Sequence, residues 1–151
     1  MKKNFLVGGD YAIIKVVSQR GFGKISKGID LETEEIVAIK ERIGDSENLV
    51  EISRHEKYML QYINARCKGL ESPKYIYSMD YKSSPNKFLV MEWVKGHNLL
   101  YLHSKKLNSF SNQFHFVCMM KILLHQLAIL HNANILHRDI KPGKKLFFFF
   151  F

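Results

Sequence analysis

Short runs rich in β-branched residues fill the first part of the chain and are separated by turn signals. The runs cover residues 11–19, 24–28 and 35–42, and the turn signals lie at 20–23 and 30–34. Runs of this length and composition between turn residues favour strands. We therefore predict an antiparallel meander of three strands.

A helix is predicted after the third strand. Ser46 is a suitable N-cap, Glu47 lies in the first turn, and Lys68-Gly69 ends the helical pattern. A stripe that recurs at steps of three and four residues is expected to face the sheet, because that spacing puts side chains on one side of a helix. The stripe consists of Leu49, Ile52, Glu56, Met59 and Ile63.

Two more strands are predicted at residues 74–81 and 87–93, on either side of a turn-rich tetrapeptide at 83–86. The first part of the chain then has five antiparallel strands and one helix, which together make a small α+β lobe. Gly96 is the expected hinge at the end of this lobe.

The pattern changes after Gly96 from strands to helices, which are predicted at residues 98–105 and 111–132. The second helix is apolar on nearly all sides between residues 114 and 130, and such a helix is expected inside a larger core. The short remainder of the chain is too small to cover it, so we expect that further downstream chain belongs to this domain.

Composition indicates a globular intracellular protein. The chain has 151 residues, the length of one domain, and 46% hydrophobic with 25% charged residues is not a disordered composition. Gly8-Gly9-Asp10 interrupts the basic and apolar start before a signal peptide could form. Polar residues also interrupt the apolar run at 114–130, so no membrane span is expected, and the predicted location is the cytoplasm.

The cysteines and the charge exclude two further classes of protein. Cys67 and Cys118 lie far apart without a Cys-x-x-Cys motif, so neither a zinc site nor a disulfide framework is expected. The net charge of +9 favours anionic partners such as nucleotide phosphates. Lys and Arg are scattered without a basic run that alternates with aromatic residues, so dedicated nucleic-acid binding is not expected.

The heptapeptide Leu-His-Arg-Asp-Ile-Lys-Pro at residues 136–142 carries the most specific chemistry. It resembles the catalytic loop of eukaryotic-type protein kinases, and its lysine two residues after the aspartate resembles the Ser/Thr-directed branch. The resemblance implies that Asp139 accepts or orients the proton of the substrate hydroxyl. It also implies that Lys141 stabilises the charge of the transferred γ-phosphoryl group. Taken alone, the alternative is an incidental charged turn after a helix.

The tetrapeptide Val-Ala-Ile-Lys at residues 37–40 resembles the kinase strand that carries the ATP-binding lysine. Because side chains alternate along a strand, Ala38 and Lys40 share one face. The resemblance implies that the small Ala38 leaves room for adenine while Lys40 reaches the α- and β-phosphates. The alternative is a surface lysine at the end of a strand.

Glu56 lies on the helix stripe that is expected to face the sheet. A buried carboxylate without a partner costs several kcal/mol, so it requires a cation. Lys40 on the preceding strand is the expected partner, and kinases pair the corresponding residues when they are active. The alternative is that Glu56 lies at the edge of the stripe and reaches solvent.

Residues 89–96 resemble the strand and hinge that hold adenine in kinases. The resemblance places Met91 at the gatekeeper position and implies that the backbone of Glu92 and Val94 binds the base. Taken alone, the segment is only an apolar strand followed by a loop, and its order in the chain supplies most of the support.

The expected glycine-rich loop departs from the family pattern. Of its three glycines only Gly23 is matched, Ser18 and Arg20 take the other two places, and Gly21 takes a variable one. Such glycines let backbone amides approach phosphates. The resemblance also implies that two apolar residues enclose adenine from above, and these are Val17 and Ile25.

The magnesium ligands of the family are not matched. Lys144 stands where kinases have an asparagine that binds magnesium, and the Asp-Phe-Gly, activation and Ala-Pro-Glu segments do not occur in the sequence. A cation cannot ligate a cation, so no residue is assigned to a metal. ATP and magnesium are the cofactors that the resemblance implies, although the protein ligands for magnesium are absent from this sequence.

The resemblance covers residues 11–143 in the family's order and implies an α+β, protein-kinase-like fold. Residues 1–95 would form the ATP-binding N-lobe with its five-stranded antiparallel sheet and one helix. Residues 96–143 would form the hinge and the first helices of an incomplete, mainly α-helical C-lobe. The Lys/Phe tail at 144–151 is expected to be non-native, because a run of five phenylalanines is unlike the rest of the chain. The alternative is a tail that dips into a membrane or binds a partner.

The implied function is ATP-dependent phosphorylation of a protein serine or threonine, in an N-terminal fragment that is expected to be inactive by itself. The protein substrate is not identified by the sequence. One alternative is a pseudokinase-like module that binds nucleotide or a partner without catalysis. Another is a chain that does not persist as a folded protein, because its apolar helix is uncovered.

We predict that the natural reading frame beyond residue 143 supplies an asparagine near position 144 and an Asp-Phe-Gly segment further on. Sequencing the transcript through this region tests the prediction. A genuine stop codon after Phe151 would count against an active kinase.

Overall fold

The computed structural model describes residues 6–20, 23–44, 46–79, 86–96, 101, 104, 113–138 and 140–141. Within these ranges it has six strands and two long helices. The strands are β1 (Leu6–Val7), β2 (Tyr11–Arg20), β3 (Gly23–Asp30), β4 (Ile36–Ile43), β5 (Tyr75–Met79) and β6 (Asn86–Glu92). The helices are α1 (Glu47–Arg66) and α2 (Gln113–Asn132).

The strands form one antiparallel sheet in the order β1-β2-β3-β4-β6-β5. The predicted meander of three strands is confirmed as β2, β3 and β4. The prediction of five strands omitted β1, which pairs Leu6 with Ala12 at the edge of β2. A strand of two residues has no periodicity that a sequence pattern could reveal.

One face of the sheet carries the hydrophobic core, which is made by Val7, Tyr11, Val37, Ile39, Phe88 and Val90. Tyr77 packs against this core and stacks on Tyr11, with the ring centroids 5.7 Å apart. Burial of Tyr11 raises the pKa of its phenol above the ordinary value.

Gly28 is required where β2, β3 and β4 approach one another closely. A Cβ atom at this position would lie 2.5 Å from Ile39 Cδ1 and 3.0 Å from the carbonyl oxygen of Ala12. The absence of a side chain at Gly28 therefore allows Ile39 to fill the centre of the core.

Helix α1 begins after Ser46, as predicted, and the carbonyl oxygen of Ser46 accepts hydrogen bonds from the N–H groups of Leu49 and Val50. The helix ends at Arg66, and Gly69 follows in the left-handed region with φ of 82°. Glycine tolerates this conformation, which is common just after a helix.

The predicted stripe of α1 is partly wrong. Ile52 is 47% exposed, whereas Leu60 is fully buried. Ser53 can lie on the inner side because its hydroxyl donates to the carbonyl oxygen of Leu49 at 2.8 Å. The row of α1 that turns inward is Leu49, Ser53, Glu56, Leu60 and Ile63, and Cys67 just after the helix is also buried.

The chain forms two compact units. The first contains residues Met1–Gln61 and Lys74–Val94, and the second contains residues Tyr62–Pro73 and Lys95–Phe151. Compactness alone does not test where a functional domain ends, so the predicted division of the chain after residue 95 stays a prediction.

In the second unit, Gln126 attaches α2 to the loop that follows α1. Its side-chain amide donates to the carbonyl oxygen of Gly69 at 3.3 Å, and its oxygen accepts the N–H of Glu71 at 2.7 Å. Gln126 and Leu130 are the buried residues of α2. The prediction of this helix at 111–132 is confirmed from Gln113 onward.

The outer side of α2 is apolar and exposed, with Phe114 69% and Leu124 60% exposed. Within the described ranges, α2 is the one helix whose length and composition would suit a membrane span, a property that core helices of soluble proteins share. The expected absence of a membrane span stays a prediction.

Several expectations fall partly outside the described residues. Of the helix predicted at 98–105, Tyr101 and Ser104 are described, and both are helical. Of the turn at 83–86, only Asn86 is described, and it begins β6. Cys67 and Cys118 are both free thiols, and burial raises the pKa of Cys67.

We predict that Leu60→Ala lowers the free energy of unfolding by about 2 to 4 kcal/mol, because a buried side chain is lost. The matched control is Ile52→Ala on the exposed side of the same helix, with an expected change within about 0.5 kcal/mol. Urea unfolding followed by circular dichroism measures both. Equal losses would show that the buried row of α1 is assigned incorrectly.

Candidate functional site

The register of the sheet brings the predicted apolar residues to one face around Lys40. Lys40 lies opposite Ile25 on β3 and Leu89 on β6, and Ala38 lies opposite Met91 on β6. Directly opposed residues in antiparallel strands project to the same side of the sheet. These five side chains therefore share the face that is opposite to the hydrophobic core.

Glu56 of α1 reaches this face and is bound by two cations of β4. Its Oε1 atom contacts the ammonium of Lys40. Its Oε2 atom accepts hydrogen bonds from Arg42, from Nε at 3.2 Å and from Nη2 at 2.9 Å. The structure thus forms the Lys40–Glu56 pair that the sequence predicts, and the alternative of a solvent-exposed Glu56 is wrong.

Burial explains why Glu56 has two partners. The side chain of Glu56 is 6% exposed, compared with 14% for Lys40 and 23% for Arg42. A carboxylate so far removed from water is stabilised only when its oxygens are paired and hydrogen-bonded. The three side chains together carry an excess of one positive charge, which favours a nearby anion.

Sequence reasoning missed Arg42. The signal was present, because Arg42 lies two residues after Lys40 on the same strand and must therefore project to the same face. The register confirms this placement, with Arg42 opposite Lys87 and Lys40 opposite Leu89.

A cavity of about 170 Å³ in the first unit borders the Lys40–Glu56–Arg42 cluster. Leu89, Phe88 and Met79 form its apolar part. The remaining residues that line it are polar or charged, and they are Lys40, Arg42, Ser53, Arg54, Glu56, Lys57, Ser78 and Lys87.

The predicted phosphate loop is a tight hairpin between β2 and β3. The strands pair as far as Arg20 and Gly23, so only residues 21 and 22 separate them. Gly21 lies outside the described residues. Val17 lies in a bulge next to Ser18, and Ser18 is opposite Ile25. The side chain of Val17 is 51% exposed. A bulge at this point redirects side chains relative to a regular strand.

The predicted hinge follows β6 directly. The N–H of Glu92 donates to the carbonyl oxygen of Lys74 at 2.9 Å, and its carboxylate accepts the N–H of Lys74 at 3.2 Å. Lys27 lies over the ring of Trp93, with Nζ 5.7 Å from the ring centroid. Val94 is half-buried, and Gly96 has φ of 139°, a conformation that favours glycine.

The segment around the predicted catalytic aspartate follows α2. Asp139 lies outside the described residues, and Lys141 is exposed. Ile135 is buried, and its N–H donates to the carbonyl oxygen of Leu130 at 2.9 Å. Arg138 has φ of 63°, which is uncommon for a residue with a long side chain. Strain of this kind concentrates at functional sites, and here it directly precedes Asp139.

A metal site is not found in the described part of the chain, where no group of three His, Cys, Asp or Glu residues could hold an ion. Lys144, at the place of the expected magnesium ligand, lies outside that part.

Comparison with known proteins gives a family match over most of the chain. The family model described as protein kinase domain matches residues 11–147. The chain is 32% identical to mitogen-activated protein kinase 7 of Arabidopsis thaliana, a match that covers 94% of the chain and 38% of that protein. It is 25% identical to serine/threonine-protein kinase PknA of Corynebacterium glutamicum, covering 93% of the chain and 30% of PknA.

A third relative is the probable serine/threonine-protein kinase fhkA of Dictyostelium discoideum, which is 28% identical over 91% of the chain and 23% of its own length. The chain thus spans between about a quarter and two fifths of the length of these relatives.

We predict that Glu56→Gln lowers the free energy of unfolding by about 2 kcal/mol or more, because Lys40 and Arg42 would face each other without a counter-charge. Glu51→Gln is the matched control, since Glu51 is exposed on the same helix, and its effect is expected to stay within about 0.5 kcal/mol. Urea unfolding measures both. If Glu56→Gln is as stable as Glu51→Gln, the assigned Lys40–Glu56–Arg42 cluster is wrong.

Proposed function

The chain belongs to the protein kinase domain family, and we propose that it is the ATP-binding part of a protein serine/threonine kinase. The observation that carries the proposal is the cluster on β4 and α1, where Lys40 is held by Glu56 on the same face of the sheet as Ala38. A lysine oriented in this way can bind the phosphates of a nucleotide.

We assign the adenine to the apolar part of this face. Ala38 and Met91 lie opposite each other and are both largely buried. Ile25 lies beside Lys40 on β3, and Val17 lies in the bulge of the neighbouring strand. In this proposal the backbone of Glu92 and Val94 binds the edge of the base, which would set the preference for adenine.

The phosphates would extend from the base toward Lys40. Residues two apart on a strand, such as Ala38 and Lys40 on β4, are separated by about 7 Å. A nucleotide that covers Ala38 therefore brings its phosphates within reach of Lys40. In this proposal, Gly21 and Gly23 at the turn between β2 and β3 would contact the phosphates.

In the complete kinase, Asp139 would orient the hydroxyl of a protein serine or threonine, and Lys141 would stabilise the charge of the transferred phosphoryl group. Magnesium would neutralise the phosphates, but Lys144 stands at the place of one of the family's magnesium ligands and does not fit the ion. We therefore expect that this chain by itself binds nucleotide without transferring phosphate.

The proposed division of the chain follows from these roles. Residues 1–95 form the ATP-binding N-lobe, residues 96–143 form the hinge and the start of the C-lobe, and residues 144–151 form a tail that is not native to the domain. A cytoplasmic location and the lack of nucleic-acid and membrane partners belong to the same proposal.

A second function is a pseudokinase-like module that binds nucleotide or another protein without catalysis. The observation that favours it is Lys144 in place of a magnesium ligand, together with the single matched glycine of the phosphate loop. A module of this kind would bind ATP equally well with and without magnesium.

We predict that ATP with magnesium stabilises the chain against heat, by about 2.7 kcal/mol when the free nucleotide is 100 times its Kd. Lys40→Ala is expected to abolish the stabilisation, because the ammonium that binds the phosphates is removed. Lys15→Ala is the matched control, since Lys15 is exposed on strand β2, and it should keep the full effect. Differential scanning fluorimetry, with and without magnesium, measures the shift.

The outcomes separate the two functions. Stabilisation that depends on magnesium and on Lys40 supports the kinase, and stabilisation that depends on Lys40 alone supports the pseudokinase-like module. No stabilisation of the unsubstituted chain would contradict both.

A further inference from the structure

The carboxylate of Glu56 is divided between two cations. Arg42 binds Oε2 through two nitrogen atoms, at 3.2 Å and 2.9 Å, while Lys40 contacts Oε1. The two partners therefore do not compete for the same oxygen.

We propose that Arg42 is a positioning residue for the nucleotide site and acts through Glu56. This inference rests on the proposed function of Lys40 in phosphate binding. Arg42 holds Glu56 by one oxygen, so that the other oxygen faces Lys40 and α1 stays attached to β4.

The chemistry of the two cations supports this division of roles. The guanidinium of Arg42 is planar and donates two hydrogen bonds to Oε2, so both bonds must break before Arg42 releases the carboxylate. The ammonium of Lys40 is a single charge on a flexible stem and can turn toward another anion. Arg42 is thus suited to hold the carboxylate, and Lys40 is suited to exchange partners.

The position of Arg42 on β4 fits this role. Arg42 and Lys40 are two residues apart on one strand, with Lys87 and Leu89 as their respective neighbours on β6. The strand fixes the separation of the two cations, so holding Glu56 at Arg42 also holds it near Lys40. Arg42 needs no contact with the nucleotide to affect its binding.

The contact between Arg42 and Glu56 favours nucleotide binding at the point where Lys40 binds phosphate. If Lys40 were the sole partner of Glu56, its movement toward phosphate would leave a carboxylate that is 6% exposed without a counter-charge. Such a group is costly in a site that excludes water. Arg42 keeps Glu56 paired during this movement and so lowers the cost of nucleotide binding.

The experiment measures the Kd for ATP with magnesium by isothermal titration calorimetry. Arg42→Met preserves much of the side-chain volume and removes the charge, and Arg42→Lys restores the charge without the planar group. We expect Arg42→Met to raise the Kd about tenfold, which corresponds to about 1.4 kcal/mol of binding free energy. The Kd of Arg42→Lys should lie between those of the unsubstituted chain and Arg42→Met. Arg66→Met, in the exposed last turn of α1, is the matched control and should not change the Kd.

Glu56→Gln separates an indirect role from a direct one. Because Arg42 acts through the carboxylate, Arg42→Met should change the Kd little when it is added to Glu56→Gln. An equal change in both backgrounds would show that Arg42 contacts the nucleotide itself, and the proposal would be wrong.

A purely structural role predicts a different result. Arg42→Met would then lower the melting temperature while the Kd of the folded protein stayed the same, which also overturns the proposal. If the unsubstituted chain binds ATP and the Arg42 variants bind it equally well, only this inference fails. If the unsubstituted chain binds no ATP, the proposed function fails as well.

Discussion

The buried carboxylate of Glu56 constrains how α1 lies against the sheet in the first unit. Glu56 is removed from water on the inner side of α1, and it can be tolerated there only with cations beside it. Strand β4 supplies two of them, Lys40 and Arg42. The requirement to pair this charge therefore limits where α1 can lie against the sheet.

The two faces of the sheet have different roles, because one carries the hydrophobic core and the other is the face that we assign to the nucleotide. Val37 and Ile39 of β4 enter the hydrophobic core on one face, and Gly28 opens the space that Ile39 occupies. Ala38 and Lys40 alternate with them and project to the other face. Because the core fixes the register of β4, it also fixes the face that we assign to the nucleotide.

The second unit combines a firm attachment with an exposed apolar surface. Gln126 anchors α2 to the loop after α1 through two hydrogen bonds, while Phe114 and Leu124 remain exposed to solvent. The same helix leads to Arg138, whose backbone conformation is strained directly before Asp139. Asp139 is the residue that we propose to orient the substrate hydroxyl, and backbone strain of this kind is common at functional sites.

The sequence by itself determined the strands of the meander and the limits of α1, because alternation and capping are local rules. It predicted the pairing of Lys40 with Glu56 from the cost of a buried charge and from the family resemblance, but left a solvent-exposed Glu56 as the alternative. Only the tertiary structure decided that Leu60 rather than Ile52 faces inward, that Arg42 shares Glu56, and that β1 adds an edge strand. The rotation of a helix about its axis depends on packing and on hydrogen bonds such as that of Ser53, which hydrophobicity does not reveal. Lys40 and Arg42 are two residues apart on one strand, so the sequence predicts that they share a face. Their distances from the carboxylate of Glu56, which lies on another element, are set only by the fold.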